Sequence, residues 1–335
     1  MSAQRRATAA AHPNLALVKY WGQTDAALNL PANDSLSVNL SGATTTTTVT
    51  FDEALAEDAV FLNDEVCDPV TCTRVSAHLD RVREMAGVGS PARVDSHNDF
   101  PAAAGVASSA SAFAALSLAA TRAAGLDLDE RALSILARKG SGSACRSIPA
   151  GFVEWLAGES DAESYARQVA PPEHWDLRIL TVSFDVRPKA VSSLAGHRAA
   201  LTSPFFTARL ASVRETLRTV RSALLDRDFA ALGCAVEREA LSLHAVAMTS
   251  RVDEKPWLSG ILYWQPETVA LLRSVQTWRR AGLPVYFSLD AGASVHLLCE
   301  AERESRLEEV LEGSLSILGG SYISSAPGRG AWLVG

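Results

Sequence analysis

Short apolar runs bounded by polar turns alternate with long amphipathic stretches along this chain. That alternation predicts a mixed helix-and-strand protein. Residues 15–21, LALVKYW, predict a buried strand carrying a single charge, Lys19. A polar turn at residues 33–37 follows, where Ser35 and Ser37 alternate with Leu36 and Val38, so that an extended backbone puts both hydroxyls on one face. Residues 44–51, TTTTTVTF, are β-branched and strand-like, and residues 71–86 read as a helix. ARVDSHNDF is a strand leading into PAAAGVASSASAFA, and the alanine-rich run that begins there predicts about five helical turns ended by Gly125. DERALSILARK has acidic residues first and basic residues last, as a helix dipole prefers. Residues 151–156 and 177–184 read as strands; 204–225, 227–247 and 266–282 read as helices, the last with Pro266 at its start. Two apolar strands around Asp290, a helix near 302–312 and a closing strand, RGAWLV, complete what reads as a second half of β-α-β type.

Composition narrows the class. The chain has 335 residues, enough for two domains or one large one, with 47% hydrophobic and 21% charged residues, as in ordinary globular proteins. No apolar run reaches the length of a membrane span, and the first residues carry two arginines but no hydrophobic signal core, so we expect a cytoplasmic protein without a membrane partner. A net charge of −7 argues against a nucleic-acid partner. Five scattered cysteines fit a reducing compartment and suggest neither a disulfide frame nor a zinc site, and we expect no protein-ligated metal.

Three stretches carry candidate chemistry. Small residues feeding a helix at Ser108 and Ser109 make a phosphate site in outline, since loop N–H groups and the helix dipole both favour an anion. No Gly-Lys-Ser/Thr follows, so this is not the Walker pattern, and a serine-capped, alanine-packed helix suits the same residues. Lys19 inside an apolar strand is costly unless it meets an anion or snorkels to the sheet edge. Ser141, Ser143 and Arg146, within six residues, suit a carboxylate or a phosphate, or a surface turn. Asp290 reads locally as a turn residue, and His244 as a satisfied helix histidine and not a ligand.

Taken together, AHPNLALVKYWG (11–22), LPANDSLSVNL (30–40), NDFPAAAGVASSASAFAAL (98–116), SGSACRSIPAGFVEW (141–155) and SLDAGASVHLL (288–298) resemble the GHMP kinase superfamily, and within it the diphosphomevalonate decarboxylases. The resemblance implies an α+β, two-domain fold: a ribosomal-S5-like ATP-binding domain over residues 1–185, a ferredoxin-like domain over 186–335, and an active site in the cleft between them. It also implies a homodimer, with ATP and Mg²⁺ as cofactors and a small phosphorylated 3-hydroxy acid as substrate. By the same resemblance Ala104, Gly105, Val106, Ala107, Ser108 and Ser109 form the ATP phosphate loop, with Ser96 on the nucleotide side. Asp290 is the catalytic aspartate, assisted by Lys19 and Arg146. Tyr20, Gln23, Ser35, Ser37, Ser141, Ser143, Ser193 and His197 face the substrate.

Two departures bear on the substrate. Diphosphate-using members usually read KYWGK, whereas this chain reads KYWGQ, with Gln23 in the lysine's place. They also usually carry an arginine after the serine pair, in an SSxxGM context; here the stretch is SSLAGH, with Leu194 and His197. Both absent cations belong, by resemblance, to the distal phosphate. The expected reaction is therefore ATP-dependent decarboxylation of (R)-5-phosphomevalonate to isopentenyl phosphate. The alternatives are decarboxylation of the 5-diphosphate to isopentenyl diphosphate, a mevalonate 3-kinase that stops before decarboxylation, and a catalytically silent homologue.

Overall fold

The computed structural model describes residues 5–100, 108–184, 190–253, 255 and 257–335. Its α-helices are α1 (Pro69–Ala86), α2 (Ser108–Ala123), α3 (Glu130–Gly140), α4 (Ser193–Ala199), α5 (Phe206–Asp226), α6 (Phe229–Thr249), α7 (Pro266–Arg280) and α8 (Glu304–Leu318). None is long and apolar enough to cross a membrane.

A six-stranded sheet runs in the order Trp332–Val334, Arg5–Ala11, Thr45–Phe51, Ala92–Asn98, Ala59–Leu62, Glu65–Val66. Along Thr45–Phe51 every second residue is buried, as the alternation requires, and Val49 and Phe51 share a core with α1, α2 and α3. The alanines of α2 let that helix lie close on the sheet: Ala110, Ala114, Ala115, Ala119 and Ala120 are all buried. Asp68 caps α1 by accepting from the N–H groups of Val70 and Thr71.

A four-stranded sheet runs Ala166–Ala170, Phe152–Trp155, Ser35–Asn39, Asn14–Val18, and its last three strands are wholly buried. A third, antiparallel sheet runs Tyr286–Leu289, Val295–Glu300, Leu177–Ser183, Ser321–Ser325. Helices α5 and α6 pack between these two sheets, where Leu15 and Leu17 share one core with Val213, Val220, Leu224, Val236, Tyr286 and Leu298. Helices α7 and α8 cover the opposite face of the third sheet through Leu271, Val275, Leu307 and Leu311. The sandwich of α5 and α6 brings the end of the Asn14–Val18 strand against the Asp290 turn.

The structure departs from the sequence pattern at the two ends of the chain. Arg5–Ala11 is a strand although alanine-rich, because it lies between two partners, and the closing strand Trp332–Val334 pairs antiparallel with it. The closing strand thus joins the first sheet and does not complete a second-half β-α-β unit. Leu177–Ser183, before the expected division at 185/186, pairs with strands from after it.

Candidate active site

Lys19 follows the Asn14–Val18 strand directly, and its side chain is 1% exposed. Its ammonium donates to Ala16 O, Ser288 Oγ and Asp290 Oδ1, each at 2.7 Å. An ammonium has three donors, so all are engaged and none is free for another ligand. Lys19 therefore holds Asp290. Asp290 itself opens the turn at residues 290–294, just beyond the Leu289–Val295 pair. Its side chain is 34% exposed, and Oδ2 stands 3.8 Å from His296 Nε2. Burial alone would raise the Asp290 carboxyl, but Lys19, with His296 and Arg146, holds it down at about 2. Burial pulls the Lys19 ammonium below its ordinary value, with Asp290 and Glu239 opposing. The Asp290 carboxyl stays ionised near neutrality and keeps one oxygen open.

Arg146 sits in the short 3₁₀ helix Gly142–Ser147 and is 3% exposed. Its Nε donates to Asn14 Oδ1 at 3.1 Å and its Nη1 to Ser35 Oγ at 2.8 Å. Asn14 in turn donates to Ser143 O and Ser147 Oγ. Nη2 has no protein partner among the described residues, which leaves a fixed cationic edge for an anion.

Both groups line one cavity of about 690 Å³, together with Tyr20, Gln23, Ser108, Ser109, Ser141, Ser143, Ser193, Leu194 and His197. Ser109 accepts from Ser141 Oγ at 3.4 Å, which ties the N-terminus of α2 to the Arg146 turn. Gln23 donates from Nε2 to Tyr20 Oη (2.6 Å) and Asn29 Oδ1 (2.9 Å). Gly22, at φ +91°, has no room for a Cβ, which would stand 2.5 Å from the Phe206 ring. His197 stacks on Tyr20 and Trp21, with ring centroids 4.1 and 4.6 Å away, and accepts from the Gly22 N–H.

Three of the expected site residues stand outside the cavity lining among the described residues. Ser35 and Ser37 do share one face, but both are fully buried and neither lines the cavity. Ser35 supports Arg146 from behind, and Ser37 donates to Val153 O at 3.5 Å. Ser96 also lies outside the cavity lining, with its hydroxyl 2.7 Å from that of Thr47. Ala104, Gly105, Val106 and Ala107 lie outside the described residues. Asn14, Ser288 and His296 were not found from the sequence. Only strand alternation could have pointed to Ser288, two residues before Asp290, and alternation does not say what lies opposite.

Family comparison fits this arrangement. A model of the diphosphomevalonate decarboxylase-like N-terminal domain matches residues 11–166, and one of the mevalonate 5-diphosphate decarboxylase C-terminal domain matches residues 179–319. The chain belongs to the diphosphomevalonate decarboxylase family, whose members are ATP-dependent lyases of the GHMP kinase fold. It is 36% identical over 307 residues to the phosphomevalonate decarboxylase of Haloferax volcanii, covering 91% of this chain and 92% of that protein. It is 36% identical over 337 residues to the diphosphomevalonate decarboxylase mvd1 of Aspergillus fumigatus, covering 94% and 81%. A solved complex of MDDEF with MVAPP, AMPPCP and magnesium superposes with a TM-score of 0.92 at 36% identity over 99% of both chains. Family membership bears out the α+β, two-domain fold expected from the motifs.

Proposed function

We propose that this family member acts on (R)-5-phosphomevalonate, with ATP and Mg²⁺, and releases ADP, phosphate, CO₂ and isopentenyl phosphate. The observation that carries the catalytic part is the saturated Lys19 ammonium: it keeps Asp290 ionised and fixed, with Oδ2 open to the cavity that Arg146 also lines. Asp290 orients the C3 hydroxyl or takes its proton. Bound Mg²⁺·ATP supplies the phosphoryl group that turns the C3 oxygen into a leaving group. As that group departs, positive charge grows at C3, and the Asp290 carboxylate offsets it. Arg146 clamps the substrate carboxylate until the C–C bond breaks, and the released electron pair closes the alkene.

The nucleotide phosphates fit the N-terminus of α2, where Ser108 and Ser109 line the cavity. Bound Mg²⁺ would be held chiefly by phosphate oxygens, with the Ser108 and Ser109 hydroxyls as further oxygen donors beside them.

Two positions support the monophosphate. Gln23 is neutral and its amide already donates to Tyr20 and Asn29, and Leu194 in the cavity wall offers no hydrogen bond. Two charge-assisted contacts are worth about 1.5–3 kcal/mol each, so their absence weakens a second phosphate by roughly 10²–10⁴-fold. One feature favours the diphosphate: Arg74, Arg81, Lys139 and Arg198 also line the cavity and add positive charge. Parallel assays of ADP and CO₂ release from 5-phosphomevalonate and 5-diphosphomevalonate separate the two readings. Faster matched release from the monophosphate supports the first, and faster release from the diphosphate replaces it with the second. ADP without CO₂ identifies a 3-kinase.

A further inference from the structure

Lys19 depends on more than its side-chain contacts. It stands one residue past the last position of its strand, where the sheet no longer supplies partners for its backbone. Both of its backbone groups are nevertheless satisfied, by side chains from α5 and α6. The Lys19 N–H donates to Glu239 Oε1 at 3.2 Å. The Lys19 C=O accepts from Arg209 Nη2 at 2.9 Å and from Asn33 Nδ2 at 3.0 Å. Arg209 closes the ring by pairing with Glu239 through Nη2 and donating to Asn33 Oδ1 at 3.1 Å. Arg209 and Glu239 are each 3% exposed, so the pair is buried.

A buried ion pair is weak support for stability, because desolvation of two charges offsets their attraction. A role in geometry accounts for this pair better than one in stability alone. Its two members grip one peptide unit on each side of a single residue, 190 and 220 positions away in sequence. That residue directs the ammonium that fixes Asp290. We infer that Arg209 and Glu239 are positioning residues for the reaction, a clamp carried by α5 and α6 that sets the backbone of Lys19 and thereby the place of the Asp290 carboxylate. Neither side chain is among the described residues that line the cavity, so the clamp acts through Lys19.

The test separates geometry from folding. Arg209→Met and Glu239→Leu each leave one buried charge unpaired, and each lowers Tm. The double variant removes both charges at similar volume, and Tm recovers toward wild type. The clamp predicts that kcat does not recover with it. Turnover of ATP in the double variant, assayed with 5-phosphomevalonate and with 5-diphosphomevalonate, stays at least tenfold below wild type, while KM for ATP changes by less than twofold. Glu239→Gln keeps an acceptor for the Lys19 N–H and retains more kcat than Glu239→Leu. A double variant whose kcat returns together with Tm overturns the clamp, as does a Glu239→Gln protein no more active than Glu239→Leu. The ratio between the two substrates plays no part in this outcome, so a failed clamp and a wrong substrate assignment are told apart.

Discussion

Gly22 donates its backbone N–H to Nδ1 of His197 at 3.1 Å, and this contact fixes where the ring carries its proton. With Nδ1 accepting, a neutral imidazole bears hydrogen on Nε2 and can offer one uncharged donor. Burial, with Arg146 and Arg209, pushes the ring down to about 3. His197 therefore stays neutral through the working range. Nitrogen-15 NMR should show no titration of this ring between pH 5 and 8. A midpoint above pH 5 would contradict the low proton affinity that burial gives this ring.

Charge at the distal end of the substrate is testable by restoring it. Gln23→Lys together with Leu194→Arg should move the kcat/KM ratio toward 5-diphosphomevalonate by about tenfold or more, given about 1.5–3 kcal/mol for a charge-assisted contact. An unchanged ratio means that these positions do not read the second phosphate.

Removing the Asp290 carboxylate should act on both rate and stability. Asp290→Asn should lower kcat by about 10²–10⁴-fold, the usual range for a positioned acid or base. It also deprives the buried Lys19 of its anion. Burial already lowers the Lys19 pKa and Asp290 opposes that shift, so the variant's folded value falls further. The unfolded chain then holds the Lys19 proton to higher pH than the folded one, and stability rises with pH in that window. The Tm deficit relative to wild type should be larger at pH 6.5 than at pH 9.5. A deficit that does not change with pH would mean that Lys19 does not titrate in the variant.

Four buried histidines set an acid limit to the fold. His78, His197 and His244 lie at about 3 and His296 at about 4, with burial the main cause for each. In the unfolded chain they take up protons near their ordinary value of 6.5, and the folded chain resists. Their contribution to stability is complete above 6.5 and is lost as pH falls toward 3–4. Each contributes up to about 1.4 kcal/mol per pH unit in that window. Urea unfolding at pH 7.0 and pH 5.0 should show a clear drop at the lower pH, and His78→Gln should reduce the difference. Equal midpoints would remove these groups as the cause.

Much of this protein follows from local chemistry written in the chain. The threonine run had to be a strand, because β-branched residues alternate in and out along Thr45–Phe51. The alanine run had to be a helix, and its small side chains made it a close-packed one. The candidate-site motifs were legible because each is contiguous: KYWG around Lys19, the serines that open α2, the Ser141–Arg146 turn and the Asp290 turn. Other features depended on packing between distant segments. RRATAAA gave no strand signal, since alanine favours helix, and only its two neighbours in the sheet made it extended. Ser35 and Ser37 were legible as residues of one face, but the packing of distant segments, with the Arg146 turn donating to Ser35, decided that both would be buried. Lys19 read as a charge in need of an anion, but Ser288, Asp290, Arg209 and Glu239 come to it from 190 to 271 residues away. A sequence pattern reports periodicity and propensity along one segment. Which side chains satisfy a buried charge is decided when sheets and helices close on each other, because only then does desolvation penalise a polar group left without a partner.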